Sequence, residues 1–185
     1  MSHKHTKDML KAFILINCEP GSDDKVIEDL QVMDGVISTL GTFGSYDVIS
    51  LLHSESQEKL DDIITKKMRK LEKIQKTTTL LVEKRSNEID ELFNKKQEQQ
   101  KNRNLAEAFV IVRFKPVLEG NILYNLGKIP QIIDGDTVVG EDEIICKVVA
   151  QTYNEIEDVV TKKIRKLEDI VSTMTLNVIP AKRIS

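Results

Sequence analysis

Apolar residues change their spacing along the first 84 residues, from continuous runs to helical periodicity and back. β-branched apolar runs predict strands at residues 13–18, 36–40, 47–52 and 77–82. Apolar residues at helical spacing predict two helices. One follows Ser22 and ends at Gly35, and the other begins near Ser54 and carries a stripe at Leu60, Ile63, Ile64, Met68 and Leu71. The predicted order is therefore βαββαβ.

That order is typical of the ferredoxin-like split βαβ unit, in which both helices cover one face of an antiparallel four-stranded sheet. The first strand is apolar on both sides, with Ile14 and Ile16 alternating with Phe13 and Leu15. Because the helices cover one face, we expect the other face to pack against a partner.

A second copy of this pattern follows in the same chain. The octapeptide Thr65-Lys-Lys-Met-Arg-Lys-Leu-Glu72 returns as Thr161-Lys-Lys-Ile-Arg-Lys-Leu-Glu168, and the same offset of 96 residues aligns Pro20 with Pro116 and Gly44 with Gly140. The two copies are about a quarter identical without a gap, which indicates an internal duplication of about 75 residues. We predict an α+β protein with repeat 1 at residues 10–84, a connector at 85–105 and repeat 2 at 106–183.

Two such repeats are expected to pack face to face as a pseudo-dimeric α/β barrel, which would bury an area on the order of 1,000 Å². Pairing within one chain and exchange between chains both agree with the pattern. The connector has no Gly or Pro, and Ile89, Leu92 and Phe93 form a short apolar stripe. These features predict a helical, partly exposed link.

The repeated octapeptide is basic and raises the alternative of a nucleic-acid arm. Acidic residues occupy the first half of its helix and basic residues the second, as the helix dipole favours, and Asp62 and Lys66 are spaced to pair. The whole chain carries a net charge of −3 with 31% charged residues of mixed sign. A solvated helix end is the favoured interpretation, and direct nucleic-acid binding is not expected.

Composition also limits the classes of protein to which this chain can belong. The start of the chain is polar and no apolar run could span a bilayer, so we expect a cytoplasmic protein without membrane contact. Cys18 and Cys146 fall at different places in the two repeats and are expected to be buried or half-buried reduced thiols. Neither a metal site nor a cofactor is expected, since His3 and His5 lie in a polar terminus and His53 at a strand end. Without a Ser/His/Asp or Cys/His set we also expect no enzyme activity.

Five segments of repeat 1 form a recognisable pattern: Ala12-Phe-Ile-Leu-Ile16, Asp34-Gly-Val36, Gly41-Thr-Phe-Gly-Ser-Tyr-Asp47, Leu60 with its helix, and Thr77-Thr-Thr-Leu-Leu81. Together they resemble the C-terminal ligand-binding (RAM) domain of the Lrp/AsnC, or feast/famine, regulators. Repeat 2 departs from the pattern, because Gly140-Glu-Asp-Glu143 stands where repeat 1 has Gly44-Ser-Tyr-Asp47. The site of repeat 2 is therefore expected to be lost or altered.

The resemblance implies a dimeric α/β barrel that binds an effector, commonly an amino acid or related metabolite, near the hairpin. It also implies assembly into larger oligomers, either with itself or with helix-turn-helix relatives. Only Met1 to Lys11 precede the first strand, too few residues for the family's helix-turn-helix domain. The expected protein is thus a tandem version without its own DNA reader.

The hairpin chemistry also suits a ligand. Glycines at positive φ expose amides to a carboxylate, an aspartate pairs with an ammonium group, and a tyrosine supplies a wall. The candidate ligand-binding residues are Gly41, Gly44, Ser45, Tyr46, Asp47, Thr77 and Thr79. Glycine and aspartate are equally suited to a plain turn. The leading hypothesis is a small-molecule sensor that acts as a transcriptional co-regulator or assembly partner, and the alternative is a structural protein–protein adaptor without a ligand.

Overall fold

A computed structural model describes residues 9–101, 103–116 and 121–180. The polar N-terminus with His3 and His5 and the last residues of predicted repeat 2 lie outside these ranges. The chain divides into two compact units. Unit 1 comprises Met1–Val82 with Ile179–Ser185, and unit 2 comprises Glu83–Val178.

Unit 1 has the predicted order of elements. They are β1 (Leu10–Cys18), α1 (Asp23–Gln31), β2 (Val36–Phe43), β3 (Val48–Ser54), α2 (Gln57–Asp62), the π-helical segment π1 (Ile63–Met68) and β4 (Ile74–Leu81). The strands pair antiparallel in the order β4-β1-β3-β2, with Ile14 opposite Ser50 on one side and Thr79 on the other. This order is that of a ferredoxin-like sheet.

Unit 2 repeats the arrangement after one additional helix. Its elements are α3 (Asn87–Gln100), β5 (Ala106–Phe114), α4 (Ile122–Gly127), β6 (Ile132–Thr137), β7 (Glu143–Ala150), α5 (Tyr153–Val159), the π-helical segment π2 (Val160–Ile164) and β8 (Ile170–Val178). The antiparallel order β8-β5-β7-β6 matches that of unit 1 strand for strand. The predicted fold class of two ferredoxin-like repeats is confirmed.

Each unit has a core between its sheet and its helices. In unit 1 Ile14, Ile16 and Leu52 of the sheet pack with Leu60 and Met68 of the second helix. The opposite faces are buried as well, each residue being 8% exposed or less: Phe13, Leu15, Ile49 and Leu80 in unit 1, and Phe109, Ile111, Ile145 and Leu176 in unit 2. The strands of both units are therefore buried on both sides, as their apolar runs predict.

The second helix of each repeat widens into a π-helix within the octapeptide. Arg69 N–H donates to Ile64 C=O and Arg165 N–H donates to Val160 C=O, five residues back in both cases. The hydroxyl of Thr65 donates to the Asp61 carbonyl at 2.7 Å. Apolar periodicity alone predicted one uninterrupted helix, because Leu60, Ile63, Ile64 and Met68 are compatible with either pitch.

Helix α3, in the predicted connector, packs within unit 2. Its Phe93 is 0% exposed, and Ile89 joins the same core. Lys96 Nζ donates to the carbonyls of Ile129 and Ile132, each at 2.8 Å, and to that of Gly127. Burial lowers the pKa of Lys96 below its ordinary value. Lys96 therefore joins α3 to the segment between α4 and β6.

Candidate functional site

The hairpin between β2 and β3 is a tight, internally bonded turn. Gly44 has φ = +132°, a region that side chains with a Cβ rarely adopt. Thr42 N–H donates to Asp47 C=O and Thr42 Oγ1 donates to Tyr46 C=O, both at 2.9 Å. These bonds hold Tyr46 and Asp47 at one end of the sheet.

Asp47 joins the hairpin to the end of β1. Its N–H donates to Ile16 C=O at 2.9 Å, and its Oδ2 accepts from Cys18 N–H at 2.9 Å. Burial raises the pKa of the Cys18 thiol; a hydrogen bond from Ser22 opposes this shift and the charge of Asp47 adds to it. The carboxylate is consequently held by the backbone, half-buried, beside the turn.

Tyr46 reaches from the hairpin to β4. Its hydroxyl lies 3.3 Å from Thr78 Oγ1, and Asn17 Nδ2 donates to Ser45 C=O at 2.9 Å. Phe43, next to Gly44, is 58% exposed. The hairpin segment therefore carries two aromatic residues, Phe43 and Tyr46, and a carboxylate fixed by the backbone, which are side-chain types suited to a small polar ligand with an ammonium group.

The structure separates the predicted threonines from the tyrosine. Thr77 lies opposite Ile16 and Thr79 opposite Ile14, so both point to the face that the helices cover, and Thr77 Oγ1 accepts from Arg69 Nε at 3.2 Å. Thr78, between them, points to the other face and contacts Tyr46. Thr77 and Thr79, two of the candidate ligand-binding residues, therefore do not contact the Tyr46 hydroxyl. The register of β4 against β1 places Thr78 beside the tyrosine instead.

Gly41 is also placed differently from the prediction. It lies in β2 opposite Val48, is buried, and is absent from the glycines with positive φ among the described residues. A Cβ added there would stand 3.4 Å from both Ile27 Cδ1 and Ile179 Cδ1. Gly41 serves packing inside unit 1, and the turn itself depends on Gly44.

The equivalent hairpin of repeat 2 keeps the closing backbone hydrogen bond but has other chemistry. Gly140 has φ = +75°, and Val138 N–H donates to Glu143 C=O at 2.9 Å, as Thr42 does to Asp47. The N–H of Phe114, equivalent to that of Cys18, donates to the carbonyl of Asp142 and not to a carboxylate. Met174 stands where repeat 1 has Thr78. Repeat 2 therefore lacks the tyrosine, the threonine that contacts it and the aspartate that accepts from the end of the first strand.

The thiols are buried and unpaired, as predicted for Cys18 and Cys146. Within the described ranges, no group of three or more His, Cys, Asp or Glu side chains could hold a metal ion. The same residues contain no helix that is both long and apolar enough to cross a membrane.

Fold and hairpin together define a protein of tandem ferredoxin-like domains in which one domain has a ligand-compatible turn. Both domains match the model of the Lrp/AsnC ligand binding domain, at residues 11–90 and 107–182. The chain belongs to this family, and the resemblance seen in repeat 1 is confirmed. Repeat 2 belongs to it as well, despite its altered hairpin.

Solved structures resemble either one repeat or nearly the whole chain. A hypothetical protein from Pyrococcus horikoshii is 35% identical over 40% of this chain and 90% of its own, with a TM-score of 0.40. Escherichia coli AsnC is 24% identical over 44% of this chain and 56% of its own, with a TM-score of 0.41.

The siroheme decarboxylase NirDL is similar over 95% of this chain and 73% of its own, at 9% identity and a TM-score of 0.68. At that identity the likeness shows the fold alone. No curated protein matches the chain.

Proposed function

We propose that this protein is a non-enzymatic sensor that binds an amino acid at the repeat 1 hairpin and acts as a transcriptional co-regulator or assembly partner. The observation that carries the proposal is the Asp47 carboxylate, held by Cys18 N–H beside Tyr46 in a domain of a ligand-binding family. Effector binding changes assembly when the ligand has different affinities for two states.

The residues have distinct proposed roles. Asp47 pairs with the ligand's ammonium group, since its carboxylate is fixed beside the turn. The backbone around Gly44 and Ser45 receives the carboxylate, because a glycine at positive φ leaves amides accessible. Tyr46 and the exposed Phe43 form the wall against the side chain.

A thermal-shift screen of the twenty amino acids tests this proposal. A ligand at 100 times its Kd stabilises the protein by about 2.7 kcal/mol, which for a chain of this size raises Tm by about 5–10 °C. Asp47→Asn removes the charge while its amide oxygen can still accept from Cys18 N–H, so we expect at least a tenfold loss of affinity with little loss of fold.

Glu143→Gln, at the equivalent position of repeat 2, is the matched control and should leave the affinity unchanged. The sensor proposal is abandoned if no amino acid raises Tm, or if both variants weaken binding equally. In the first case the adaptor function becomes the better explanation, with exposed Phe43 and Ile37 of β2 as the surface to mutate.

The co-regulator role needs a separate measurement. Helix-turn-helix members of the same family are mixed with this protein, and complex mass is followed by light scattering with and without the amino acid found in the screen. We expect the mass distribution to change with the ligand. An unchanged distribution at saturating ligand would contradict the assembly mechanism while leaving ligand binding intact.

A further inference from the structure

Helix α3 lies against the edge strand of the sheet in unit 2. The strand order of that unit is β8-β5-β7-β6, so β6 pairs with β7 on one side and has an outer edge on the other. An outer edge carries backbone N–H and C=O groups that can pair with a strand of another chain. Residues in and just before α3 contact this edge of β6.

Three alternate carbonyls of β6 accept hydrogen bonds from these residues. The donors and acceptors are Gln97 Nε2 to Ile133 at 3.1 Å, Arg85 Nη1 to Gly135 at 3.0 Å, and the Glu83 N–H to Thr137 at 2.8 Å. Alternate residues of an antiparallel strand turn their backbone groups toward the same side, so these carbonyls belong to the outer edge. They are therefore occupied by donors of the same unit.

Two further backbone groups of β6 are bonded in the same way. The register of β6 against β7 shifts between Ile132 and Asp134, and the Ile132 carbonyl accepts from Lys96 Nζ at 2.8 Å. The N–H of Gly135 donates to Asp134 Oδ1 at 3.0 Å, and the same oxygen accepts from Arg85 Nη1. Side chains thus take hydrogen bonds that a neighbouring strand would make.

Two glycines of unit 2 make room for α3 at this position. A Cβ on Gly127 would lie 2.7 Å from Leu92 Cδ2. A Cβ on Gly135 would lie 3.6 Å from Cζ of Phe93, whose side chain is 0% exposed. The equivalent positions of repeat 1 carry the larger residues Gln31 and Thr39. The sequence of unit 2 is therefore adapted to hold α3 against the sheet.

The aspartates of β6 also oppose pairing with a second β6 strand. In an antiparallel pair centred on Gly135, Asp134 of one copy would lie opposite Asp136 of the other, and like charges at opposite positions are destabilising. Arg85 is bonded to Asp134, and its Nε lies 3.8 Å from Asp136. Its side chain is 14% exposed and lies 5.4 Å from the centre of the Phe93 ring. Arg85 thus neutralises these carboxylates within the chain.

We propose that Arg85, Lys96 and Gln97 form an edge guard, which prevents the β6 edge from pairing with the β6 edge of a second copy of this chain. The guard lies within unit 2 and does not depend on ligand binding at the hairpin. Assembly of this protein, with itself or with relatives, then uses other surfaces, since the guarded edge adds no strand.

An open-edge variant tests the guard in the full-length chain. It carries Arg85→Gln, Lys96→Met and Gln97→Met together with Asp134→Asn and Asp136→Asn. Its molar mass, measured by light scattering, should rise above that of wild type as the protein concentration increases and should fall again on dilution. In hydrogen exchange followed by mass spectrometry, the peptide that contains residues 132–137 should be more protected in the concentrated variant than in the diluted one.

Two control variants separate the guard from general effects of substitution. Glu91→Gln, Lys95→Met and Glu98→Gln together change three exposed residues of α3 and should keep the molar mass of wild type. Restoring Asp134 and Asp136 in the open-edge variant should weaken its association about tenfold, because like charges return to the paired strands.

Circular dichroism establishes that each variant is folded. If the open-edge variant does not fold, the pair Arg85→Gln and Gln97→Met, which keeps Lys96 and the apolar contacts of α3, is measured by the same methods. A folded variant with the molar mass of wild type at every concentration would overturn the proposal, as would equal association of the α3 surface control. Association that leaves the exchange of residues 132–137 unchanged would overturn the assignment to β6.

Discussion

Arg165 Nε donates a hydrogen bond to Thr173 Oγ1 at 2.9 Å, and Arg69 makes the same bond to Thr77 at 3.2 Å in the first repeat. Each arginine directly follows a π-helical segment, so the bond joins the end of the helix to the last strand of its repeat. The arginine of the basic octapeptide therefore has a structural role in both units. Lys66 and Lys162 likewise pair with Asp62 and Asp158 on their own helices.

Removing the threonine hydroxyl should weaken each repeat slightly. Thr77→Val and Thr173→Val keep a β-branched side chain in a strand, so the loss should be close to one hydrogen bond, about 0.5–1 kcal/mol. The neighbouring Thr79→Val and Thr175→Val are controls, because neither hydroxyl bonds to the described part of the chain. Urea denaturation measures the difference. Equal effects in variants and controls would show that the arginine contacts contribute nothing.

Gly35 should be harder to replace than Gly21. Its φ is +89°, its carbonyl accepts from His53 N–H, and an added Cβ would lie 2.7 Å from Ile63 Cδ1. Gly21 has a similar φ of +80° with nothing within 4 Å of its virtual Cβ. Gly35→Ala and Gly21→Ala should both cost about 1–2 kcal/mol from backbone strain, with an additional cost at Gly35 for displacing Ile63. If the two variants have equal free energies of unfolding, the Ile63 side chain moves aside without cost and the predicted difference is wrong.

Lys96 should be essential to the stability of unit 2. Lys96→Met keeps the aliphatic length but leaves the carbonyls of Gly127, Ile129 and Ile132 without their donor. Hydrogen bonds to a charged group contribute about 1.5–3 kcal/mol, so we expect a loss of at least that size. The exposed neighbour Lys95→Met should change stability by less than about 0.5 kcal/mol. Similar melting temperatures for Lys96→Met and Lys95→Met would contradict the claim that the hydrogen bonds of Lys96 stabilise unit 2.

Acidification should destabilise unit 1 through His53. Burial, followed by the charge of Lys11, lowers the pKa of His53 below its ordinary value of 6.5. Between the lowered pKa and 6.5 the unfolded chain binds more protons than the folded one, so stability falls as the pH drops through this window. His53→Gln should reduce the dependence of the free energy of unfolding on pH in this window, which urea denaturation at several pH values measures.

Other titrating groups surround His53 and need a control. The cleft beside it is lined by both signs of charge: Asp34, Glu55, Asp62, Lys59, Lys66 and Lys67. Wild type and His53→Gln share these groups, so the difference between their stability curves from about pH 7 to about pH 5.5 isolates the imidazole. Parallel curves for the two proteins would refute the assignment.

Much of this architecture can be read from local pattern. The strand at 13–18, the helix that ends at Gly35 and the helix that begins near Ser54 are set by neighbouring residues, and the structure has them within a few positions. The duplication then carries the same elements to the second repeat. Apolar spacing is sufficient here because each element buries one stripe or alternates along one strand.

The hairpin contains positions that local sequence pattern does not assign correctly. Gly44 can be assigned to a turn from sequence, whereas Gly41 looks the same and proves to be a strand residue against Ile27. The three consecutive threonines are equivalent by composition, and only the register of β4 against β1 assigns Thr78 to the tyrosine. Register depends on pairing between segments more than sixty residues apart.

Residue order was thus enough for the βαββαβ units and their repetition, since periodicity and turn chemistry act over a few residues. The burial of Arg85 against Asp134 and the three carbonyls around Lys96 arise from contacts between distant segments. A charged side chain on a polar helix looks solvated in the sequence. Its position becomes known only when the fold places carboxylates, carbonyls and an aromatic ring around it.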